Sequence, residues 1–342
     1  MRAPAGRLPR NQVIIGDAVT RLAQLPAASI DCVITSPPYF GLRDYGHKDQ
    51  LGLESTVEAW VDGLRAVARE VARVLRPTGS FWLNVGDGYS NHLREGAIKK
   101  SLLLGPQRLA VALAADGWIV RNQVIWAKTN PMPSSVADRL SPTHEVLYFL
   151  VRSPRYFFDL DAIRVPATSR PPRPRAAEVP REYPPRAAAP ELPGLSRNTG
   201  LDRLKRMGRG SHPLGRNPGD VWSLATAGYR GAHFATFPPT LVARPLLATC
   251  PEQVCASCGQ PWHRVPVDRK APHPRKGRLQ PGCRCAGGVV PGLVLDPFMG
   301  SGTVALCAEA HGRDWVGVEL NPVYAALTER RLADARRPPS QR

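Results

Sequence analysis

The sequence predicts an α/β protein whose large sheet is covered by helices on both faces. Short runs of β-branched and other apolar residues alternate with stretches of helical spacing between residues 12 and 151, and the alternation resumes from residue 292. This pattern predicts a parallel or mixed sheet, because strands that run the same way need long crossover connections. A length of 342 residues suits one large domain with an insertion, or two domains.

Each predicted element is bounded by a local signal. The clearest helix covers residues 56–75, where apolar side chains recur at helical spacing until Arg76, Pro77 and Gly79 end the pattern. The strands are short apolar runs that end at polar residues, glycine or proline. The predicted strands are residues 12–17, 33–35, 80–85, 118–126, 145–151, 292–295 and 314–319. The other predicted helices are a stretch through Leu22 and Leu25, residues 107–115, a stretch through Leu247, and residues 303–311 and 323–332.

The charge balance predicts a polyanionic partner. Lys and Arg number 46 against 28 Asp and Glu, so the formal net charge is +18. Such a surface attracts nucleic acid, although a merely solubilising charge is the alternative. The N-terminal residues lack the apolar core of a signal peptide, and no apolar run approaches the length of a membrane span. Seven unevenly spaced cysteines favour a reducing compartment, so we expect a cytoplasmic protein with no membrane partner.

Composition also divides the chain into segments. Residues 154–219 are rich in proline and basic residues and lack the apolar side chains for a core of their own. They form either a solvated linker or an arm that contacts nucleic acid. The predicted segments are 11–153, the first half of the α/β domain; 154–219, the basic insertion; 220–250, a segment that leads into a helix; 251–290, a cysteine loop; 291–333, the second half of the α/β domain; and 334–342, a basic tail.

A turn of unusual stiffness follows the strand at residues 33–35. Its sequence is Ser36-Pro37-Pro38-Tyr39, and two consecutive prolines can neither continue a sheet ladder nor enter a helix interior. The turn therefore presents a small hydroxyl, a fixed backbone carbonyl and an aromatic ring at the carboxyl end of a strand. Ligands bind at that edge of open α/β sheets.

A second turn follows the strand at residues 292–295. Asp296 stands at the strand end, and Gly300 and Gly302 let the backbone pass close to a ligand before the helix at residues 303–311. Glu319 ends the next strand, where an acidic side chain can accept hydrogen bonds from ribose hydroxyls. Ala305 replaces the third glycine of the dinucleotide fingerprint, so a nucleoside without a pyrophosphate fits better than a nicotinamide cofactor.

Four cysteines in the loop 251–290 have the spacing of a metal site. Cys255 and Cys258 form one pair, and Cys283 and Cys285 form the other. Four thiolates close a tetrahedral structural zinc site, and the alternative is four free thiols in a loop. Cys250 is near enough in sequence to compete as a ligand, whereas two further cysteines are predicted core residues, Cys32 and Cys307.

The motifs together resemble the amino-group DNA methyltransferases that use S-adenosylmethionine. They are Ser-Pro-Pro-Tyr at residues 36–39, His-Phe-Ala-Thr-Phe-Pro at 233–238 and Asp-Pro-Phe-Met-Gly-Ser-Gly-Thr at 296–303. Their order, with the catalytic turn first and the cofactor turn last, is similar to the circularly permuted β-class. The resemblance implies a Rossmann-like methyltransferase fold with a mixed seven-stranded sheet, double-stranded DNA as partner and a target-recognition region at residues 154–219.

The resemblance also implies the roles of individual residues. The catalytic turn is Ser36, Pro37, Pro38 and Tyr39, and the cofactor residues are Asp17, Phe237, Pro238, Asp296, Phe298, Gly300, Ser301, Gly302, Thr303 and Glu319. For Asp17 and Phe237 the alternatives are a helix cap and a core aromatic. His144 and Glu145 either line the site or form a satisfied core pair, and we favour the core pair.

The first residue of the catalytic turn bears on the base that is methylated. Family members with Ser at this position mostly act on N4 of cytosine, and those with Asp act on N6 of adenine. Ser36 therefore favours N4 of cytosine, with N6 of adenine as the alternative. A catalytically silent DNA-binding protein of the same fold is a lower alternative, and an RNA or protein methyltransferase is lower still. The resemblance also allows a cognate restriction endonuclease as a partner.

Overall fold

The computed structural model describes residues 8–167, 212–226, 237–267 and 275–337. Their main sheet has eight strands in the order β1-β12-β11-β2-β3-β5-β4-β6, and two small ladders pair β7 with β10 and β8 with β9. The strands are β1 Gln12–Ile15, β2 Ile30–Thr35, β3 Leu75–Val85, β4 Ile119–Lys128, β5 His144–Val151, β6 Val221–Leu224, β7 Val254–Cys255, β8 His263–Arg264, β9 Leu279–Gln280, β10 Val289–Val290, β11 Leu293–Asp296 and β12 Asp314–Glu319.

Helices cover both faces of the sheet, as the alternating pattern predicts. One buried cluster joins α1, α2 and α3 to one face, and a second cluster joins α5, α6 and α7 to the other. The helices are α1 Ala18–Ala23, α2 Val57–Val74, α3 Gly105–Ala115, α4 Leu160–Ile163, α5 Pro239–Thr249, α6 Thr303–Ala310 and α7 Pro322–Arg336, with a 3-10 turn at Leu93–Glu95. No helix in these ranges is long and apolar enough to cross a membrane.

Helix α2 shows how local sequence produces this architecture. Thr56 caps it, because its hydroxyl accepts a hydrogen bond from Ala59 N at 3.1 Å. Its apolar side chains recur every three or four residues and are buried, including Trp60, which has no exposed surface. The helix therefore packs one whole face against the sheet.

The predicted count of seven strands is corrected to eight. The additional strand, β6, is only four residues long and pairs in parallel with the end of β4. Its single run Val-Trp-Ser-Leu is too short for a periodic signal. A second correction concerns the strand predicted at residues 80–85, which begins earlier, although the helix does end before Arg76 and Pro77. Strand β3 begins at Leu75 and runs through them, with a register shift opposite Ile30 and Cys32.

Strand direction separates two edges of the sheet. Strands β1, β2, β3, β11 and β12 all run in parallel. The edge where they end, at Ile15, Thr35, Val85, Asp296 and Glu319, is called the cleft edge, and the edge where they begin is called the opposite edge.

The predicted target-recognition region leaves and re-enters the sheet at the opposite edge. Strand β5 is antiparallel to β3, and beyond its end Phe157 N donates to Thr78 O at 2.9 Å, near the start of β3. The returning chain pairs Arg216 with Val165 before β6. Most of the insertion, residues 168–211, lies outside the described residues, as do residues 338–342 of the predicted tail.

Candidate active site

A cleft of about 500 Å³ opens at the cleft edge. It is bounded by the turns after β1, β2, β11 and β12 and by the ends of β4 and β6, so distant parts of the chain meet there. Most of the predicted site residues line it: Ser36, Pro37, Pro38, Tyr39, Asp17, Phe237, Phe298, Gly300, Ser301, Thr303 and Glu319. The position agrees with the rule that ligands bind beyond the carboxyl ends of parallel strands.

The proline turn is fixed at several points. Trp60 Nε1 on α2 donates to Pro38 O at 2.9 Å, and Pro37 is buried. Just before the turn, Thr35 Oγ1 donates to Asp296 Oδ1 at 2.6 Å across the sheet. This hydrogen bond joins the strand end before the proline turn to the first residue of the predicted cofactor turn, residues 296–303, and the two bonded residues are 261 positions apart in sequence.

The Tyr39 hydroxyl lies at the centre of a polar network. It is 3.1 Å from Ser36 Oγ and donates to Glu145 Oε2 at 2.7 Å. Asn84 Nδ2 donates to Tyr39 Oη at 3.0 Å. Burial, and then the Glu145 carboxylate, raise the pKa of Tyr39 well above its usual value, so the phenol stays protonated.

Glu145 belongs to the site and not to a satisfied core pair with His144. Glu145 lines the cleft, whereas His144 is exposed at the start of β5. Lys128 Nζ donates to Glu145 Oε1 at 2.6 Å. The preference for a core pair was wrong, because strand alternation sends these neighbours to opposite faces of the sheet.

The carboxylate of Glu319 anchors the cofactor turn. Gly300 N donates to its Oε2 at 2.7 Å, and Asn321 N donates to its Oε1 at 2.9 Å. Burial raises the pKa of Glu319, and these backbone donors oppose the shift. A carboxylate offers about four lone-pair positions, so Glu319 can still accept hydrogen bonds from a ligand in the cleft.

Asp296 is buried behind the cleft wall. Its Oδ1 accepts hydrogen bonds from Thr35 Oγ1 and from Phe298 N, the latter at 3.0 Å. Its Oδ2 has no hydrogen-bond partner among the described residues. Burial raises the pKa of Asp296 to about 7. An unpartnered buried carboxylate oxygen points to a missing donor or cation.

Three of the ten predicted cofactor residues, Pro238, Asp296 and Gly302, lie behind the lining of the cleft. Pro238 is buried at the start of α5. Gly302 precedes α6 with φ +78°, and a Cβ there would lie 2.5 Å from Thr328 Cγ2. These residues shape the wall of the cleft, whereas their neighbours in the same motifs form its surface.

Asp17 and Phe237 have the structural roles given as alternatives, a helix cap and a core aromatic, and both also line the cleft. Asp17 Oδ1 accepts from Thr20 N at 2.8 Å, so it caps α1, and the residue also lines the cleft. Phe237 packs against the buried cluster on the α5 face and also lines the cleft. A cap and a ligand contact are compatible, because a strand-to-helix turn at the cleft edge faces the ligand.

Several residues that line the cleft were not predicted from the sequence. Tyr45 and Tyr324 lie in the cleft wall with their rings perpendicular and 6.4 Å apart. Lys128 and Trp126 come from the end of β4, and Asn321 follows β12. One signal was available: Asn321 directly follows the strand that ends in Glu319. The tyrosines carry no such signal, because exposed aromatic residues in loops are common.

The four predicted zinc ligands converge at the opposite edge. The Sγ atoms of Cys255, Cys258, Cys283 and Cys285 all lie within 4.8 Å of one another. The backbone N–H groups of Cys258 and Ser257 lower the pKa of the Cys255 thiol. Cys250 is fully buried in the hydrophobic core and is not part of this group, which corrects its suggested role as a competing ligand. The prediction of core positions for Cys32 and Cys307 is confirmed.

Comparisons with known proteins identify the class. The family profile described as DNA methylase (N6_N4_Mtase) matches residues 30–330. The chain is 35% identical to the Type II methyltransferase M.XycI of Xanthomonas campestris pv. cyanopsidis, over 93% of this chain and 86% of that protein. It is 32% identical to the Type II methyltransferase M.Cfr9I of Citrobacter freundii, with the same coverage of each.

Solved structures share the fold. The PvuII cytosine-N4-specific DNA methyltransferase aligns with a TM-score of 0.57 at 18% identity, over 98% of this chain and 94% of that one. A putative DNA modification methylase of Thermus thermophilus, complexed with S-adenosyl-L-methionine, aligns with a TM-score of 0.52 at 22% identity, over 95% of each chain. These alignments show that the chain has the fold of DNA methyltransferases. The chain belongs to the Type II DNA methylase family that methylates the exocyclic amines N4 and N6.

Proposed function

We propose that this DNA methylase transfers a methyl group to N4 of cytosine in double-stranded DNA. The observation that carries the proposal is the pairing of two turns in one cleft. The Ser36 turn presents acceptors for an amine, and the 2.6 Å hydrogen bond between Thr35 and Asp296 holds it beside the cofactor turn. Holding both reactants in one orientation supplies most of the acceleration in such a transfer.

The residues around the cofactor turn fit S-adenosylmethionine. Its ammonium group is a cation and a hydrogen-bond donor. Asp296 Oδ2 is a buried acceptor that has no hydrogen-bond partner among the described residues. Glu319 retains acceptor capacity for the ribose hydroxyls, and Asp17 and Phe237 line the cleft beside it. When bound, the cofactor supplies a methyl carbon on a sulfonium sulfur, which leaves as a neutral thioether when an amine attacks that carbon.

The catalytic turn makes the amine nucleophilic. The lone pair of the N4 amine is delocalised into the cytosine ring. Acceptors that hold its two hydrogens shift the nitrogen toward a tetrahedral shape and free that lone pair. Ser36 Oγ and the Pro37 carbonyl are these acceptors, and the nitrogen loses one proton to water in the open cleft after transfer.

The target base must leave the duplex to reach this turn. Enzymes that modify a base rotate it out of the stack into a pocket, where aromatic side chains hold its ring. Tyr39 is the stacking residue that we propose, since it lies in the catalytic turn and lines the cleft. No cysteine lies in the turn, so direct transfer to the amine fits it and a covalent cytosine adduct does not.

Ser36 supports cytosine over adenine. The family resemblance associates Ser at this position mostly with N4 of cytosine and Asp with N6 of adenine, which remains the alternative with the same mechanism. The chain order, with the Ser36 turn before the cofactor turn and both in one sheet, supports the circularly permuted arrangement. The net charge of +18 supports DNA as the partner, and the Type II relatives support a cognate restriction endonuclease.

A structural zinc ion is the second proposed ligand. Four thiolates at a zinc–sulfur distance of about 2.3 Å form a tetrahedron whose sulfur atoms are about 3.8 Å apart. The four Sγ atoms, all within 4.8 Å of one another, are close to that arrangement. The surrounding ladders have only two residues in each strand, so the metal would supply cohesion that the loop's own core lacks.

Methyl transfer from labelled S-adenosylmethionine to unmethylated genomic DNA tests the proposal, with nucleoside mass analysis of the digest. N4-methylcytosine is the expected product. N6-methyladenine would keep the mechanism and overturn the choice of base. Cofactor binding without transfer to DNA would favour the silent DNA-binding protein.

A further inference from the structure

Hydrogen bonds connect four side chains at the Ser36 turn in the order Lys128, Glu145, Tyr39 and Ser36. Lys128 Nζ donates to Glu145 Oε1 at 2.6 Å, and Tyr39 Oη donates to Glu145 Oε2 at 2.7 Å. Ser36 Oγ lies 3.1 Å from Tyr39 Oη. The Lys128 and Glu145 side chains are only 22% and 14% exposed, so water screens this ion pair less than it screens a surface pair.

Counting protons sets the direction of each hydrogen bond. The Glu145 carboxylate, paired with Lys128, is an acceptor only, so the single Tyr39 proton points to it. Asn84 Nδ2 donates to Tyr39 Oη at 3.0 Å and to Glu145 Oε2 at 2.8 Å, which agrees with acceptors at both positions. The hydrogen between Ser36 and Tyr39 must therefore come from Ser36.

We propose that Glu145, held by Lys128, is a positioning residue that orients the Ser36 hydroxyl through Tyr39. With its hydrogen turned toward Tyr39, Ser36 Oγ presents only lone pairs to the cleft. An amine that donates its hydrogens requires such an acceptor. The inference rests on the proposed function but not on the choice of base, since cytosine and adenine both carry an exocyclic amine.

Glu145→Gln tests the direction of the network with almost no change of shape. Lys128 needs an acceptor and takes the amide oxygen, so the amide nitrogen faces Tyr39 and the hydrogen bond from Asn84 to this position is lost. That nitrogen donates to Tyr39, whose own proton then turns to Ser36, and the Ser36 hydrogen turns toward the cleft. We expect kcat to fall about 10- to 100-fold, as for one lost hydrogen bond to a reacting group, with an unchanged Kd for S-adenosylmethionine.

A second substitution should restore the lost activity. In Lys128→Met/Glu145→Gln the cation is gone, so the amide can rotate and place its oxygen toward Tyr39. We expect this double variant to be at least about fivefold faster in kcat than Glu145→Gln, which is non-additive coupling within one network. Lys128→Met alone measures the effect of removing a charge from the cleft, which should raise KM for DNA.

Two results would overturn the inference. One is a Glu145→Gln variant with the wild-type kcat. The other is a Lys128→Met/Glu145→Gln variant with a kcat no higher than that of Glu145→Gln. The second result would mean that Glu145→Gln acts through lost charge or lost stability, because Lys128→Met repairs neither. If Glu145→Gln does not fold, Tyr39→Phe removes the same link between Glu145 and Ser36. Adding Lys128→Met to Tyr39→Phe should then leave kcat at the value of Tyr39→Phe. A further loss of kcat in that double variant contradicts the network. Wild-type protein that transfers no methyl group would contradict the proposed function instead.

Discussion

Asp31 and Asp296 are buried carboxylates on neighbouring strands, at opposite edges of the sheet. Asp31 lies 3.0 Å from Arg76 Nε, whereas Asp296 has no cation beside it in the described part of the chain and leaves Oδ2 without a hydrogen-bond partner. Burial raises the pKa of both carboxyls, to about 6 for Asp31, where Arg76 opposes the shift, and to about 7 for Asp296. The protein supplies a cation beside the Asp31 carboxylate but none, among the described residues, beside the Asp296 carboxylate.

The carboxylates near the cysteines are also paired with a cation. Near the cysteines at the opposite edge, Arg264 pairs with both Asp159 and Glu252. At the cleft edge, Glu319 lines a cleft of about 500 Å³, and Asp296, buried behind the wall of that cleft, keeps Oδ2 without a hydrogen-bond partner among the described residues. Buried polar groups in a purely structural region are normally satisfied within the protein, so an unmatched group indicates a place for a ligand.

Removing the proposed metal should have the largest effect, and it should be confined to the opposite edge. Structural zinc sites contribute on the order of 10 kcal/mol of binding free energy to folding. Elemental analysis should find about one zinc per chain, and chelation should remove hydrogen-exchange protection from residues 254–264 and 279–290. Cys258→Ser should lose the metal, whereas Cys307→Ser, a buried thiol outside the cluster, should retain it. A metal-free protein of equal stability would contradict this prediction.

Asp296→Asn should stabilise the protein at high pH and weaken cofactor binding. The pKa of Asp296 is about 7 in the folded protein against 3.8 for the free side chain, so stability falls as pH rises between these values. Asn cannot ionise, so the variant should gain up to about 4 kcal/mol over wild type at pH 8 and little at pH 4. Urea unfolding at both pH values measures the gain. A stability difference between the variant and wild type that is the same at both pH values would show that burial does not raise the pKa of the Asp296 carboxyl.

Gly302→Ala should change stability by less than the two changes above, and its effect should be confined to the predicted cofactor turn. The residue has φ +78°, and its new Cβ would lie 2.5 Å from Thr328 Cγ2. Gly312→Ala is the matched control, since Gly312 has φ +65° with nothing within 4 Å of an added Cβ. We expect Gly302→Ala to lose about 1–3 kcal/mol more than the control, with weaker cofactor binding.

Thr328→Ser tests the cause of that loss. The substitution removes the methyl group but keeps the hydroxyl that donates to Gly300 O at 2.8 Å. It should therefore recover part of the stability of Gly302→Ala, as measured by thermal unfolding. Equal losses in Gly302→Ala and Gly312→Ala would leave backbone strain as the whole effect.

The parts of the site that the sequence predicts are those formed by local turns. Two prolines force the chain out of the sheet at Ser36, and glycines allow the left-handed turn before α6, so each motif carries its own conformation. Because both turns follow parallel strands, the sheet places them at the same edge, and the sequence is enough to predict this.

Contacts between strands account for what the sequence did not predict. Glu145 reaches Tyr39 only because β5 lies antiparallel beside β3, and Lys128 reaches Glu145 only because β4 adds outside β5. No local pattern encodes that register. Asp296 was identified by its motif, but its position behind the cleft wall depends on Thr35 from a strand distant in sequence.

The most direct test of the account compares two measurements on Ser36→Ala. Calorimetry gives its affinity for S-adenosylmethionine, and single-turnover methyl transfer to DNA gives its chemical rate. The account predicts wild-type affinity with a rate at least about 100-fold lower, as when one positioned hydrogen-bonding group is lost from a transition state. A rate within twofold of wild type would contradict the role of Ser36, and so would a rate and an affinity that fall together.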